Sequence, residues 1–297
     1  MAVAEIPFAG PMRIHTYHGE ADLLEMEIRE PFHEKVKPQA RVELYGGGER
    51  SHYHFKHAGP FRVEGIASYE SGYTQVAGAR SLKHEGRYST LVTSALEGLN
   101  ILDVLTADRV VAQISTAHPL DGAVPEVSFL GTCFENLRIA GHKVELDANL
   151  EILGPRPARD QSYFDNQNVM DRMAQQYEKL SMDDDLPDWA SERYPRDRHT
   201  WRSTETDTRA DIAKCSLVNR VHSSEKSFGH VVDVPHFGKF FLGELTVKRV
   251  PACKSGEYDA YTFYLNMIRM ELGCATSGNG NAGSLTSNGQ GGKGGGG

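Results

Sequence analysis

Leu23-Leu24-Glu25-Met26-Glu27-Ile28-Arg29 is the stretch that decides the fold class, because apolar and charged residues alternate along it from Leu24 onward. Successive side chains of a β-strand point to opposite faces. The apolar members would therefore share one face and the charged members the other. The stretch predicts a β-strand with one buried side and one side in solvent.

The same strand-like pattern extends outward from this stretch over two parts of the chain, from Met12 to about Ile152 and from about Lys214 to Leu272. Glycines such as the run Gly46-Gly47-Gly48 interrupt it, as is typical of turns between strands. We therefore predict an all-β protein, an antiparallel β-sandwich of jelly-roll-like form.

One polar segment between the two β-rich parts has helical rather than strand periodicity. Apolar residues recur in it at spacings of three and four, which predicts one amphipathic helix inserted into the β-sandwich. Asp165 or Asn166 precedes the helix and is of a residue type that caps helix N-termini. The predicted apolar stripe consists of Val169, Met170, Met173, Tyr177 and Leu180.

Composition shifts divide the chain into four segments. Residues 1–153 form the first part of the β-sandwich body, and residues 154–212 hold a Gly-Pro linker, the helix and a charged excursion. Residues 213–273 contain strands that return to the same sheet or form a second one. Residues 274–297 are mostly Gly, Ser and Asn, and we predict that this tail is disordered because it has little apolar surface to bury.

The formal net charge of −8 over 297 residues argues against nucleic acid as a partner. A protein partner or self-association remains compatible with it. No stretch approaches the roughly 20 apolar residues needed to span a membrane. The first residues lack the basic start and apolar run of a signal peptide, which predicts a cytoplasmic protein. Four cysteines without a CxxC pair are typical of reduced thiols in such a compartment.

The stretch His52-Tyr53-His54-Phe55-Lys56-His57 is the sharpest candidate for a metal site. In a strand, His52 and His54 would lie side by side on one face, with His57 or Glu64 as a further ligand for a divalent transition metal. Such an HxH pair resembles the metal site of cupins, although no glutamate follows it at the cupin spacing. The alternative is a strand with histidines on its polar face.

His15 and His18 end another candidate strand and are the histidines that could converge on this pair. A second candidate site consists of the large aromatic residues of the charged excursion, namely Trp189, Tyr194 and Trp201. Aromatic rings with a polar edge suit a carbohydrate-binding platform, but they also anchor long loops against a core.

The chain carries no recognisable catalytic signature. Ser223-Ser224-Glu225-Lys226 matches SxxK by spacing alone, and the chain has no GxSxG elbow. We therefore expect a non-catalytic binding or structural protein without a cofactor. The alternatives are a metal-dependent, cupin-like enzyme that uses the His52 and His54 pair, and a carbohydrate-binding module.

Two stretches resemble a known family. Gly98–Ala112 (GLNILDVLTADRVVA) followed by Phe134–Gly141 (FENLRIAG) is similar to the core of the bacterial "choice-of-anchor P" β-proteins. The resemblance covers residues 89–152. It implies an uncharacterised bacterial β-sandwich, commonly at the cell surface, and it assigns no catalytic residues.

Overall fold

The computed structural model describes residues 13–47, 52–63, 65–80, 87–119, 124–158, 161–181, 186–194, 200–203, 209–251, 259–273 and 276–293. In these ranges the regular structure is mostly β-strand, in agreement with the predicted all-β class. The elements are, in chain order, β1 (Arg13–Glu30), β2 (Glu34–Val36), β3 (Val42–Gly47), β4 (His52–Ala58), β5 (Phe61–Val63), β6 (Ala67–Tyr69), β7 (Ser71–Arg80), β8 (Arg87–Ile101), β9 (Leu105–Pro119), β10 (Glu126–Ser128), β11 (Cys133–Glu135), β12 (Arg138–Ile139), β13 (His142–Lys143), β14 (Glu145–Ala148), a 3-10 turn (Tyr163–Asp165), α1 (Gln167–Ser181), α2 (Asp188–Arg193), β15 (Thr200–Ser203), β16 (Ala210–Ser216), β17 (Val218–His222), β18 (Lys226–Phe228), β19 (Val231–Val234), β20 (Gly238–Val250), β21 (Ala260–Leu272) and β22 (Ser277–Lys293).

The strands form two large antiparallel sheets. Sheet A has the order β15-β16-β20-β21-β22-β1-β2, with β3 also on β1 and the β18-β19 pair on β20. Sheet B has the order β13-β12-β9-β8-β6-β5, with β10 and β11 on β9, β7 on β8, and β4 on β7. A short pair, β14 and β17, lies apart from both.

Sheets A and B pack face to face around one apolar core. The packing is close, since a Cβ atom at Gly19 on β1 would lie 2.6 Å from Cγ1 of Val76 on β7. The hydroxyls of Thr116 and Ser287 meet between the sheets at 3.4 Å. These contacts confirm the predicted sandwich, and the alternating residues of the opening stretch bury their apolar side as expected.

The returning strands belong to the same sandwich as the first ones. β16, β20 and β21 continue sheet A, which also contains β1, β2 and β3 from the beginning of the chain. The two β-rich parts therefore share one sheet, and the helical segment is an excursion from it.

The structure differs from the prediction of a disordered tail. Ser277–Lys293 forms β22, which pairs with β1 on one side and with β21 on the other. Pairing on both sides satisfies the backbone groups whatever the side chains are, and this compensates for the poor apolar content. Small residues even favour the position, because a Cβ atom at Gly280 would lie 2.7 Å from the Cβ atom of Met26.

The predicted amphipathic helix is confirmed as α1. Val169, Met173 and Tyr177 of its stripe are buried against the sandwich. The charged excursion after it contains α2, and Tyr194 at the end of α2 is buried, so this segment makes more contacts than the sequence indicates. No helix of the described ranges is long and apolar enough to cross a membrane.

Candidate functional site

The histidines predicted to bind a metal lie on β4, which pairs with β7 at a margin of sheet B. Its side chains are half-buried at His52 and exposed at His54 and His57. His52 and His54 are two residues apart and share a face, whereas His57 is one step out of phase and belongs to the other face. Glu64 lies outside the described residues, so its place in the site stays a prediction.

His54 is held by a neighbouring strand rather than by another histidine. Its Nδ1 donates a hydrogen bond to the backbone carbonyl of Glu43 on β3, at 2.7 Å. Glu43 also approaches His18 on β1, with 3.4 Å between Glu43 Oε1 and His18 Nε2. The structure thus brings His18 and His54 to the same residue, and both histidines contact a glutamate that the sequence did not single out.

His18, Glu20 and Glu43 form a group of potential metal ligands on β1 and β3. One nitrogen or oxygen atom from each lies within 4.8 Å of those from the others. Arg41 forms an ion pair with Glu20. Asp22 follows on the same face of β1, and burial raises its pKa to about 6, with further raising by nearby carboxylates and a lowering effect of Arg41.

Two members of the predicted aromatic platform are described, and the structure places Tyr194 in a buried position and Trp189 in a half-buried one. The Tyr194 ring is buried edge-on to Tyr177, with 5.6 Å between ring centroids. Trp189 packs edge-on to Phe241 at 6.2 Å, and Lys239 Nζ lies 4.3 Å above its ring. These residues anchor the excursion to sheet A. The side chain of Trp201 lies outside the described part of the structure.

A buried polar network lies where Tyr194 meets sheet A. The Tyr194 hydroxyl lies 3.2 Å from His230 Nε2 and donates to Glu244 Oε1 at 3.3 Å. Arg269 donates from Nη2 to the same Glu244 oxygen at 3.1 Å and from Nε to the other oxygen. Glu271 accepts a bond of 2.6 Å from Arg269, which completes the pairing of that guanidinium.

The network fixes the charge of its central carboxylate. Burial acts to raise the pKa of Glu244, but hydrogen bonds from His230 and Arg269 outweigh burial and hold that pKa far below its usual value. A cavity of about 220 Å³ borders the network and has Lys214 in its lining. Partial burial, together with Arg193 and Arg269, lowers the pKa of Lys214 against the opposing effect of Glu244.

A larger and mainly apolar cavity of about 390 Å³ lies between the β14-β17 pair and the end of the sandwich. Lys143 at the end of β13 contributes to its lining, and β20 and β21 contribute Gly243 and Met267. The apolar side chains of the lining are Phe134, Leu137, Val144, Leu146, Ala148, Leu150, Leu217, Val218 and Met267.

The polar residues of the apolar cavity differ in whether they are already paired. The Thr132 hydroxyl donates to the carbonyl of Gln113, and Asn136 donates to Asp108 Oδ2 at 3.0 Å. Burial and the nearby Glu135 raise the pKa of Cys133, which disfavours a reactive thiolate. Lys143 is exposed at the cavity lining, and among the described residues no side chain forms an ion pair with it.

Sequence reasoning missed both the apolar cavity and the Glu244 network. The cavity is lined by residues from five separate parts of the chain, and no local pattern connects them. Tyr194 was singled out for its ring, whereas its hydroxyl is what joins the network.

A family model described as a domain of unknown function (DUF8256) matches residues 15–248. The chain belongs to this family. The matched region runs from β1 through most of β20, and it contains Lys143, the lining of the cavity apart from Met267, and the His18, Glu20 and Glu43 group. No curated protein and no solved structure matches the chain.

Proposed function

We propose that this protein is a non-catalytic binding protein whose ligand is a small, mainly apolar molecule with one anionic group. The ligand would occupy the cavity of about 390 Å³ beside the β14-β17 pair. Small-molecule pockets typically measure about 300–1,000 Å³ and combine an apolar lining with a few placed polar groups. The observation that carries the proposal is Lys143 at this apolar lining, since no described side chain forms an ion pair with its ammonium.

The chemistry of the lining supports an apolar ligand body. Leucine, valine, methionine and phenylalanine side chains release water when an apolar molecule covers them, and this release favours binding. Thr132 and Asn136 have protein partners, so they do not need a polar ligand. A ligand with many hydroxyl or amide groups would leave those groups unpaired against the apolar wall, at a cost in free energy.

Lys143 supports the anionic group. An ammonium beside an apolar wall attracts a carboxylate more strongly than one in open solvent, because the wall lowers the local dielectric response. The cavity residues support binding rather than catalysis, because the only thiol in the lining is Cys133, whose pKa is raised by burial.

The test is isothermal titration of the full chain with decanoate and with decanol, which share the apolar chain and differ in charge. We expect one decanoate per chain. Lys143→Gln should weaken decanoate binding by about tenfold, because it removes one charge-assisted contact worth about 1.4 kcal/mol. The affinity for decanol should stay unchanged. Leu146→Trp, which places a larger side chain in the cavity, should weaken both ligands.

The matched control is Lys179→Gln on the exposed side of α1, a charge change that lies outside the cavity lining. It should bind both ligands as the unmodified chain does. The proposal is wrong if the unmodified chain binds neither ligand, or if Leu146→Trp binds both with unchanged affinity. If Lys143→Gln weakened the binding of decanoate and decanol equally, the proposed ligand would not need an anionic group.

A further inference from the structure

The outer face of sheet A carries a row of acidic and imidazole side chains where β1 and β3 pair. Glu20 lies directly opposite Glu43 in the register, and His18 lies opposite Tyr45. His18, Glu20 and Asp22 are two residues apart and share one face of β1. Gly19 belongs to the other face, which packs on sheet B, so the row points away from the core.

The distances within this row suit a single small cation. His18 Nε2 and Glu43 Oε1 are 3.4 Å apart. One potential ligand atom from each of His18, Glu20 and Glu43 lies within 4.8 Å of the other two. Two ligands of a tetrahedral zinc ion, at bonds of about 2.0–2.1 Å, are roughly 3.4 Å apart. Modest side-chain rotation would bring the three atoms to that spacing.

The charges in the row are unbalanced. Two glutamates directly opposite on neighbouring strands repel each other. Asp22 adds a third carboxyl group, while Arg41 is the guanidinium that pairs with Glu20. Three carboxyl groups beside one guanidinium leave a site at which a cation would be stabilised.

Asp22 supplies an independent sign of a missing partner. Asp22 is 9% exposed, and its Oδ1 atom is buried with no hydrogen-bond partner in the part of the chain that the structure describes. Buried carboxylate oxygens are ordinarily paired, because an unpaired one has lost its water without compensation. Asp22 lies on the same face of β1 as Glu20, two residues along the strand, and Glu20 and Glu43 both act on its carboxyl group electrostatically.

The imidazole of the row is already oriented. The ring of His18 stacks on that of Tyr45, with 4.1 Å between centroids and an interplanar angle of 7°. A ring fixed by stacking loses less rotational freedom when its nitrogen binds an ion. His54, whose Nδ1 donates to the carbonyl of Glu43, holds the backbone that carries the second carboxylate.

We propose that His18, Glu20 and Glu43 bind one divalent transition-metal ion, with zinc as the test ion, on the outer face of sheet A. A mixed set of imidazole and carboxylate ligands suits first-row transition metals, whereas calcium takes six or more oxygen ligands. The site differs from the predicted one at His52 and His54, because its ligands come from β1 and β3. It is also separate from the apolar cavity, so it does not depend on the proposed ligand.

The experiment is a calorimetric titration of the full chain with zinc chloride. The protein is first stripped of metal with EDTA and dialysed. We expect one equivalent of zinc in the unmodified chain. Glu43→Gln, which keeps the side-chain shape, should weaken zinc binding by tenfold or more. We expect the same loss of zinc affinity for His18→Asn. Glu225→Gln, at a half-buried position, and His142→Asn, at an exposed one, are matched controls outside the row and should leave zinc binding unchanged.

A second readout separates binding from folding. Zinc should raise the Tm of the unmodified chain and should not raise that of Glu43→Gln, while the two metal-free proteins melt at similar temperatures. If His18→Asn fails to fold, Glu43→Gln decides the question alone.

The same titration distinguishes the proposed site on β1 and β3 from the predicted site at His52 and His54. His52→Ala, which removes one member of the predicted pair and leaves the His54 contact to Glu43 in place, should retain the zinc equivalent. The proposal is overturned if the unmodified chain binds no zinc equivalent, if Glu43→Gln binds zinc as tightly as the unmodified chain, or if only the His52→Ala variant loses it. Calcium binding of equal strength would overturn the assignment to transition metals.

Discussion

Two clusters of the same residue types lie on sheet A and differ in whether their polar atoms have partners. The Glu244 network, under the helical excursion, pairs its carboxylate with His230, Arg269 and Tyr194. In the β1-β3 row, Asp22 Oδ1 has no hydrogen-bond partner among the described residues. The first cluster has used its bonding capacity within the protein, and the second retains capacity for a ligand.

The difference teaches how similar residues acquire different roles. Burial makes an unpaired charge costly, so a buried cluster persists only when its members satisfy one another. In the β1-β3 row, solvent and ions screen the exposed Glu43, whereas the buried Asp22 oxygen costs free energy unless a cation or a proton compensates it. We therefore assign the Glu244 network to stability and the β1-β3 row to binding.

The largest expected effect comes from removing residues 274–297, because β22 connects the strands that carry the two clusters. β22 pairs with β1 and with β21, and its loss would open sheet A between them. We expect the truncated chain to lose cooperative unfolding in urea and the near-UV dichroism of its packed aromatic residues. Deletion of residues 294–297 alone is the control, and it should leave both signals unchanged. A truncated chain with an unaltered Tm would contradict the position of β22 in the sheet.

Glu244→Gln sharpens the comparison by removing the central charge of the buried network. Arg269 and His230 would lose their partner, and we expect a loss of about 3 kcal/mol in the free energy of unfolding at pH 7. The matched change Glu43→Gln in the half-exposed row should cost less than about 1 kcal/mol in metal-free buffer. Urea unfolding of both variants measures the difference.

The stabilisation that Glu244→Gln removes should depend on pH. The pKa of Glu244 is lowered in the folded state from an ordinary value of 4.5. The folded state therefore binds this proton less well than the unfolded chain, and the stabilisation is present above pH 4.5 and is lost as the pH falls below it. The difference between the unmodified chain and Glu244→Gln should shrink over that acid range. A constant difference down to acid unfolding would show that the pairing contributes no charge-dependent stability.

The smallest expected effect is a gain in stability from Asp22→Asn in metal-free buffer. Folding raises the pKa of Asp22 from 3.8 to about 6, so the folded state holds this proton more tightly and pays a cost whenever Asp22 is ionised. The variant should be more stable by about 1 kcal/mol at pH 7, a figure reduced for partial screening by solvent. The gain should fall as the pH drops from 6 to 4, because protonation then removes the same cost from the unmodified chain.

The outcome that opposes this prediction is a variant that is less stable than the unmodified chain at pH 7. It would mean that the Asp22 carboxylate has a stabilising partner. Urea unfolding at pH 4, 6 and 7 distinguishes the two cases.

Local patterns were sufficient to predict many of the individual elements. The alternation around Met26 gave the buried face of β1, and the spacing of Val169, Met173 and Tyr177 gave α1. Both patterns reflect geometry within one element, which repeats every two residues in a strand and every 3.6 in a helix. Such periods can be read from neighbouring residues alone.

The candidate sites could not be predicted in the same way. The sequence directed attention to His52 and His54, which are close along the chain, whereas His18 and Glu43 are 25 positions apart and meet through strand pairing. Trp189 and Tyr194 were expected at a surface platform, but sheet A buries the Tyr194 ring. Which side chains meet across strands depends on register, and register depends on the whole sheet.

The sequence by itself therefore determined the all-β class, the inserted helix and the inward faces of the strands, because each follows from the period of a local pattern. Only the tertiary structure decided that Ser277–Lys293 is a strand, that Glu244 is paired, and that an apolar cavity forms beside Lys143. These features arise from contacts between distant segments. Their free energy comes from pairing and burial that no single segment possesses before the chain folds.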